Sequence, residues 1–390
     1  MVKLATREQC TGCTACSACC PRGAISMVAD EEGFLQPVVD CDKCVNCGKC
    51  ERVCPVTRCG TRHQPMSSFI VKAKDCKVRR ASSSGGIFTV LAEQVIRNAG
   101  RVYGAAWHKP DFECRHVGVE DEQGLATLRG SKYVQSNLQG VFPSIKKDLE
   151  AGKQVLFCGC PCQVAGLKSY LGGDCDNLLC VGLICNSVPS PKVFKAWCTE
   201  ERKRAGAGQE LLDVKFRDKR EGWHDGTFKF SFTTTTTTSL QKSAYYWLWQ
   251  EGYAVRRSCI DCSFREFRDG ADLTIGDAWG IERFAPMFDD NGGVSAVLAL
   301  SKKGLNFLRG VTDAVEIKPV EIEQLIPGNP TLLKSFELLK KAGKRRDEFW
   351  RMLNAGGDVV RLAQKFTRRP LSVRTRMVCG KILRKMGLRK

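Results

Sequence analysis

CTGCTACSACCP, residues 10–21, has a near copy in CVNCGKCERVCP, residues 44–55. Both read C-x-x-C-x-x-C-x-x-x-C-P. Three thiols at that spacing can grip three corners of an iron–sulfur cubane, while the fourth cysteine of each run reaches across to the other cluster. The crossed assignment gives Cys10, Cys13, Cys16 and Cys54 to one 4Fe-4S cluster, and Cys44, Cys47, Cys50 and Cys20 to a second. Cys19 and Cys41 are left over. Zinc also accepts four thiolates, but it does not ask for interleaved triplets each followed by Cys-Pro. Two adjacent clusters form a one-electron relay.

Working outward, the stretch between the copies, AISMVADEEGFLQPVVD (24–40), has short β-branched runs around a Glu-Gly turn. It predicts the strand hairpin that joins the halves of a small two-cluster ferredoxin fold over residues 1–60. Residues 59–76 read as a linker. The whole chain has 390 residues, too many for one ordinary core, and 23 of them are cysteine. The N-terminal MVKLATREQC lacks the apolar run of a secretory signal, so the expected compartment is the reducing cytoplasm. There, clustered cysteines are expected as metal ligands or redox groups rather than disulfides.

Net charge is +19 and uneven: seventeen Lys or Arg against three acids lie between positions 340 and 390. A basic helical tail over 330–390 follows, with an anionic membrane surface at the inner face as its expected peripheral contact. Nucleic acid is the rival partner for a basic, Cys-rich chain. It is not expected, because the charge sits in the tail rather than on the cysteine module and stacking motifs are absent.

From about residue 77 the texture becomes alternating helix and strand. Ile87, Leu91 and Val95 mark one helical face, and Phe142, Ile145 and Leu149 another. RVYGAAW, QVLFC and LLCVGLI read as strands, and Ser190 caps a helix whose first turn holds Pro191. Residues 211–302 are richer in strands, with TFKFSFTTTT read as one. The fold class is therefore α+β and multidomain. A ferredoxin fold leads, an α/β domain with a strand-rich part spans 77–310, and the basic helical tail follows.

Within the α/β domain, Ser82-Ser83-Ser84-Gly85-Gly86 precedes a helix, where small residues allow close backbone approach and the helix N-terminus attracts phosphate. A ligand-free Ser/Gly cap explains the same letters. A second cysteine set comprises Cys158, Cys160 and Cys162, then Cys175, Cys180 and Cys185, and the pair Cys259 and Cys262. Only the C-x-x-C at 259–262 has chelating spacing, since a single buried cysteine is commonly a small core residue.

Five stretches carry a resemblance. They are SSSGGIFTVLA (82–92), GSKYVQS (130–136), VLFCGCPCQVAGLKSYL (155–171), FRDKREGW (216–223), and RRSCIDC with ADLTIGDAWGIE (256–282). Together with the N-terminal cysteine runs, the chain resembles the coenzyme F420 hydrogenase/dehydrogenase beta-subunit family, in the bacterial form with its own two-cluster ferredoxin domain. The resemblance implies a flavoprotein oxidoreductase holding FAD, with Ser83, Ser84, Gly85 and Gly86 lining the flavin phosphates, Ser131, Lys132 and Tyr133 nearby, and Lys132 as a phosphate-directed charge. It further implies a third 4Fe-4S cluster on Cys162, Cys185, Cys259 and Cys262. Cys158 and Cys160 depart from the family pattern and have no role in it. Asp277, Trp279, Arg217 and Lys219 are implied to shape the flavin or substrate pocket, with a structural role as the alternative.

The expected function is electron exchange between a ferredoxin-like redox partner and an organic substrate or a deazaflavin-type cofactor. Electrons would pass from the first cluster through the second and third to the flavin. Similar bacterial proteins are associated with cell-surface polysaccharide biosynthesis, which suggests a reductive step on a glycan precursor. The alternative is a non-catalytic electron-transfer subunit of a larger complex.

Overall fold

A computed structural model describes residues 2–225, 227–239 and 243–367 of the chain. Strands β1 (Ile25–Ala29) and β2 (Leu35–Val39) pair antiparallel, with Ile25 opposite Val39. Asp30 folds the turn between them by accepting from the amides of Glu32 and Phe34, each at 3.0 Å. Single helical turns Ala15–Ala18 and Lys49–Arg52 lie inside the two cysteine runs.

The large domain is built on an eight-stranded mixed sheet ordered β13-β3-β12-β11-β7-β6-β4-β5. Its strands are β3 (Ser67–Ala73), β4 (Arg101–His108), β5 (Glu113–Val119), β6 (Val155–Gly159), β7 (Leu178–Leu183), β11 (Leu273–Asp277), β12 (Ser295–Ala299) and β13 (Val315–Val320). The run β4-β6-β7-β11 is parallel and the flanking pairs are antiparallel. Helix Ile87–Arg97 leads from β3 into β4, Val141–Glu150 leads into β6, and Pro161–Leu171 joins β6 to β7, two strands that read as unbroken apolar runs because both faces are buried. A smaller antiparallel sheet holds β8 (Leu211–Asp218), β9 (Thr227–Phe232) and β10 (Thr236–Ser239). It packs with helix Pro191–Ala205 on a core rich in rings, where Trp197 stacks on Tyr245 at 5.0 Å. Ser190 caps that helix, accepting from the amides of Lys192 and Val193.

Three boundaries differ from the sequence reading. SSFIVKA, inside the expected linker, is β3 and lies between β13 and β12 in the main sheet. β13 extends that sheet beyond residue 310. TFKFSFTTTT is not one strand: it folds back at 233–235 into the β9–β10 hairpin.

The expected tail also differs. Helices Arg345–Asn354 and Val359–Phe366 bury Phe349, Trp350, Leu353, Leu362 and Phe366 in the ring-rich core. The charge count concealed that apolar stripe. The remainder of the tail, residues 368–390, lies outside the described residues. Among those described, no helix is long and apolar enough to cross a membrane.

Candidate redox centres

The two cysteine runs adopt one backbone design twice. In the first, Gly12 and Thr14 flank Cys13 with φ of 69° and 68°; in the second, Asn46 and Gly48 flank Cys47 with φ of 52° and 68°. Two left-handed residues around the central cysteine curl each run into a cup, a conformation that costs Thr14 and Asn46 more than glycine. Each cup closes a small cavity with the fourth thiol of the other run. One is lined by Cys10, Cys13, Cys16 and Cys54, the other by Cys20, Cys44, Cys47 and Cys50. These are the crossed sets that the spacing predicts. The amide of Gly12 points at Cys10 Sγ at 3.4 Å and that of Ala24 at Cys20 Sγ at 3.3 Å. Such N–H···S contacts tune cluster potential.

Burial pushes the Cys13 thiol up to about 12 and Cys16 well above its ordinary value, with neighbouring thiols adding to the effect. Thiolates at these positions need a compensating charge of the kind iron supplies. Among the described residues no three His, Cys, Asp or Glu side chains stand close enough to hold a single metal ion. The sulfur sets instead surround a space between them, which suits a multi-atom cluster. Cys19 stands beside the second set, in electrostatic reach of Cys50, Cys20 and Cys47. Cys41 is exposed.

The module is clamped to the large domain by buried charge. Arg256, 1% exposed, donates to Cys10 O at 2.6 Å, Gln135 Oε1 at 2.9 Å and Leu35 O at 2.9 Å. Gln135 itself donates to Thr11 O at 2.9 Å. Glu32, on the hairpin turn, is also 1% exposed and accepts from Arg346 at 2.5 and 2.6 Å and from Arg257 at 2.9 Å. A carboxylate this deep is tolerable only with such partners.

A third thiol group forms at the carboxyl ends of β6 and β7, the edge of an open parallel sheet where ligands commonly bind. Cys160 and Cys162 start helix Pro161–Leu171 after β6, and Cys185 follows β7. Cys259 ends a single 3-10 turn, with Cys262 just beyond. The Cys162 thiol lies within electrostatic reach of Cys262, Cys185 and Cys259, and also of Cys13. The Cys160 and Cys185 thiols are neighbours, and their proximity draws Cys185 below its ordinary value and pushes the buried Cys160 up. Arg265 holds the Cys185 carbonyl and donates to Asn186 O at 2.8 Å. The four expected thiols therefore come together, and a fifth, Cys160, joins them. Cys158 faces the core beneath the sheet, and burial raises its thiol to about 12.

Cys262 and Arg265 also line an open cavity of about 470 Å³, shared with Cys59 and Arg268. Cys59 donates its thiol to Ser263 O at 3.1 Å. Cys59 falls within the expected linker, and neither Arg256 nor Arg265 has an expected role. A buried arginine is visible only once its acceptors are assembled in space.

The residues expected around FAD divide. Ser83 and Ser131 meet, the Ser131 amide donating to Ser83 Oγ at 2.7 Å and the hydroxyls lying 3.0 Å apart. Ser84 donates to Val294 O at 2.8 Å. A β-carbon on Gly85 would collide with Val71 O, so close packing against β3 already requires that glycine. Gly86, with φ of 94°, is the N-cap of helix Ile87–Arg97.

Lys132 does not present a charge for phosphate. Its ammonium donates at 3.0 Å to each of the Thr127, Leu128 and Arg129 carbonyls, closing the helix Glu122–Leu128. Burial lowers its pKa to about 8. Tyr133 packs on Trp249 at 4.6 Å and on Phe216 at 5.3 Å.

Beside the serine loop, Lys219 donates to Ser84 O at 2.9 Å. Arg217 lies over Trp279 at 4.7 Å, Trp279 stacks on Trp223 at 4.8 Å, and Trp223 donates to Asp277 at 2.7 Å. Arg217 Nε is buried without a partner. The Ser83–Ser131 pair and Arg217 fit an anionic group, and Lys132 does not.

Comparison with known proteins gives the following likenesses. Residues 152–324 match the family model for the carboxyl-terminal part of the coenzyme F420 hydrogenase/dehydrogenase beta chain, and residues 9–57 match the 4Fe-4S dicluster domain. No curated protein matches by sequence. Among solved structures, a chain of the F420-reducing [NiFe] hydrogenase complex from Methanosarcina barkeri, in a xenon derivative, is similar at 17% identity and a TM-score of 0.49. The likeness covers 74% of this chain and 91% of that one.

Proposed function

We propose, from a chain that joins a 4Fe-4S dicluster domain to the coenzyme F420 hydrogenase/dehydrogenase beta-subunit family, that it is an iron–sulfur oxidoreductase subunit passing single electrons to flavin-linked chemistry. The observation that carries this reading is the pair of cavities lined by crossed cysteine sets, the inner of which packs through Cys13 against Gly166 of the helix that begins with the third thiol group. In it, Cys10, Cys13, Cys16 and Cys54 hold one cluster and Cys20, Cys44, Cys47 and Cys50 the other. Cys162, Cys185, Cys259 and Cys262 hold a third, with Cys160 as a neighbour.

The order of the relay follows from exposure. Cys47 is exposed, while Cys10 and Cys13 are buried against the large domain. Electrons then travel between the outer second cluster, the inner first cluster and the third site. That order exchanges the first two stations of the route expected from the sequence.

FAD belongs to this proposal on the strength of the resemblance together with the one buried donor of Arg217, its Nε, that has no acceptor. When bound, a flavin supplies the exchange between two-electron and one-electron chemistry. The protein's part is to hold its anionic end at Ser83, Ser131 and Arg217 and to exclude water with the stacked Trp223 and Trp279. The external partner is a redox protein and the substrate an organic molecule or deazaflavin. A reductive step in polysaccharide synthesis at a membrane rests only on the sequence resemblance and on the tail beyond residue 367.

Anaerobic purification tests each level separately. The expected result is a brown protein with roughly twelve irons per chain, as three 4Fe-4S clusters require, and FAD released by heat. About eight irons would sink the third cluster alone, absent flavin would sink the FAD assignment, and zinc without iron would sink the whole reading.

A further inference from the structure

The outer cysteine set opens onto a face whose composition describes a partner. Between the ferredoxin module and the large domain lies a depression of about 300 Å³, with Cys19, Val53 and Tyr170 in its floor and Lys49, Arg52 and Lys146 around it. Lys49 also lines the second cysteine cavity, together with Arg22 and Val45. The depression and the cavity thus meet at Lys49, with Arg22 on one side and Arg52 and Lys146 on the other.

Charge on this face is one-sided. Arg22, Lys49, Arg52 and Lys146 are all exposed. Lys146 has one loose ion pair, 3.7 Å from Glu150 on its own helix. No ion pair holds Arg22, Lys49 or Arg52 among the described residues. The nearby acids are largely spoken for: Asp40 pairs with Lys43 at 2.9 Å, and Glu51 accepts from the Lys3 amide. Unpaired cations around a buried centre raise the local potential and steer an oppositely charged molecule toward it.

An apolar residue lies beside Arg22 and Lys49 on this face. Val45 sits between Cys44 and Cys47 and is 60% exposed, more than any other large apolar side chain described in this module. An apolar spot within a charged border is the anatomy of a protein interface rather than of a small-ligand site.

We infer that this face docks a small acidic electron-transfer protein, with its prosthetic group brought against Val45 and Cys47, and that the second cysteine set is where electrons cross between the two proteins. The inference rests on the iron–sulfur reading above. The step is a one-electron transfer in which one carrier is oxidised and the second cluster reduced, or the reverse, with no bond made or broken. Borders of this kind chiefly raise the association rate and select the partner by sign of charge, so the interaction weakens as salt rises.

The test uses the full-length, anaerobically purified protein, with an acidic plant-type 2Fe-2S ferredoxin as the probe and a basic c-type cytochrome as its opposite in charge. Binding is measured by calorimetry at low and high ionic strength. The expected result is ferredoxin binding that weakens about tenfold or more between ~0.02 M and ~0.3 M salt. The double variant Arg52→Glu with Lys146→Glu should lose it, while iron content and cluster spectrum stay as in the parent protein. Both side chains are exposed, and neither lines the cysteine cavities. Equal binding of ferredoxin by an iron-replete double variant, or preference for the basic cytochrome, would overturn the docking inference alone. A parent protein without iron would overturn the cluster reading and this inference with it.

Discussion

A β-carbon at position 166 would stand 2.7 Å from Cys13 Cβ and 2.9 Å from its Sγ, closer than packed side chains come. Gly166 lies in helix Pro161–Leu171, whose first turn carries Cys160 and Cys162. Its missing side chain is what lets the inner cysteine run lie against the helix that begins the third thiol group. Gly166→Ala overfills this contact, and overpacking of a tight core site costs typically 1–3 kcal/mol. The expected outcome is a melting point lowered by several degrees and an altered electron paramagnetic resonance signal from the first cluster, with the second cluster's signal unmoved. An unchanged signal would mean the contact has slack. Nothing in QVAGLKSYL marks this glycine, because the surface it fits belongs to Cys13, 153 positions earlier in the chain. The cysteines themselves were legible, because their ligand geometry is local and survives as spacing.

At the scale of elements, local pattern succeeded where one face of a helix or strand met one core. Ser190 with Pro191 marked the start of a helix, and the apolar strands beside it were unmistakable. Pattern failed where charge outnumbered a narrow apolar stripe. Helix Arg345–Asn354 reads as basic, RRDEFWRMLN, yet it buries Arg346, Phe349, Trp350 and Leu353. Arg346 is drawn inward by Glu32, 314 residues earlier, which no window of sequence can contain. Phe349 is fully buried and packs edge-on to Trp350 at 5.3 Å and to Phe366 at 5.7 Å. Phe349→Ala therefore removes a ring from the core rather than from a tail, at a cost of about 3–5 kcal/mol. Urea denaturation should register that loss in the transition of the large domain. A change below ~1 kcal/mol would instead fit a helix resting loosely on the surface, as a solvated basic tail would.

Across the whole molecule, the ferredoxin module has work to do only while it stays seated, because electron tunnelling falls steeply with distance. The seat is Arg256, which stands three residues before Cys259 and reaches the carbonyls of Cys10 and Leu35 in the module. One side chain thus couples the position of the inner cysteine set to the third. Gly12 lies so close that a β-carbon there would stand 2.8 Å from the guanidinium. Arg256→Met keeps the aliphatic length and removes the three donated hydrogen bonds, leaving buried acceptors on both sides unpaired. The clusters are held by cysteines that this change does not touch, so iron content should stay near that of the parent. If the third thiol group holds the proposed cluster, the rate at which electrons reach it after rapid reduction of the module should fall severalfold or more, read by stopped-flow absorbance and freeze-quenched resonance spectra. Loss of iron with the rate per remaining cluster unchanged would make Arg256 a support for cluster assembly. A slower rate at full iron content identifies it as the residue that holds the relay in register.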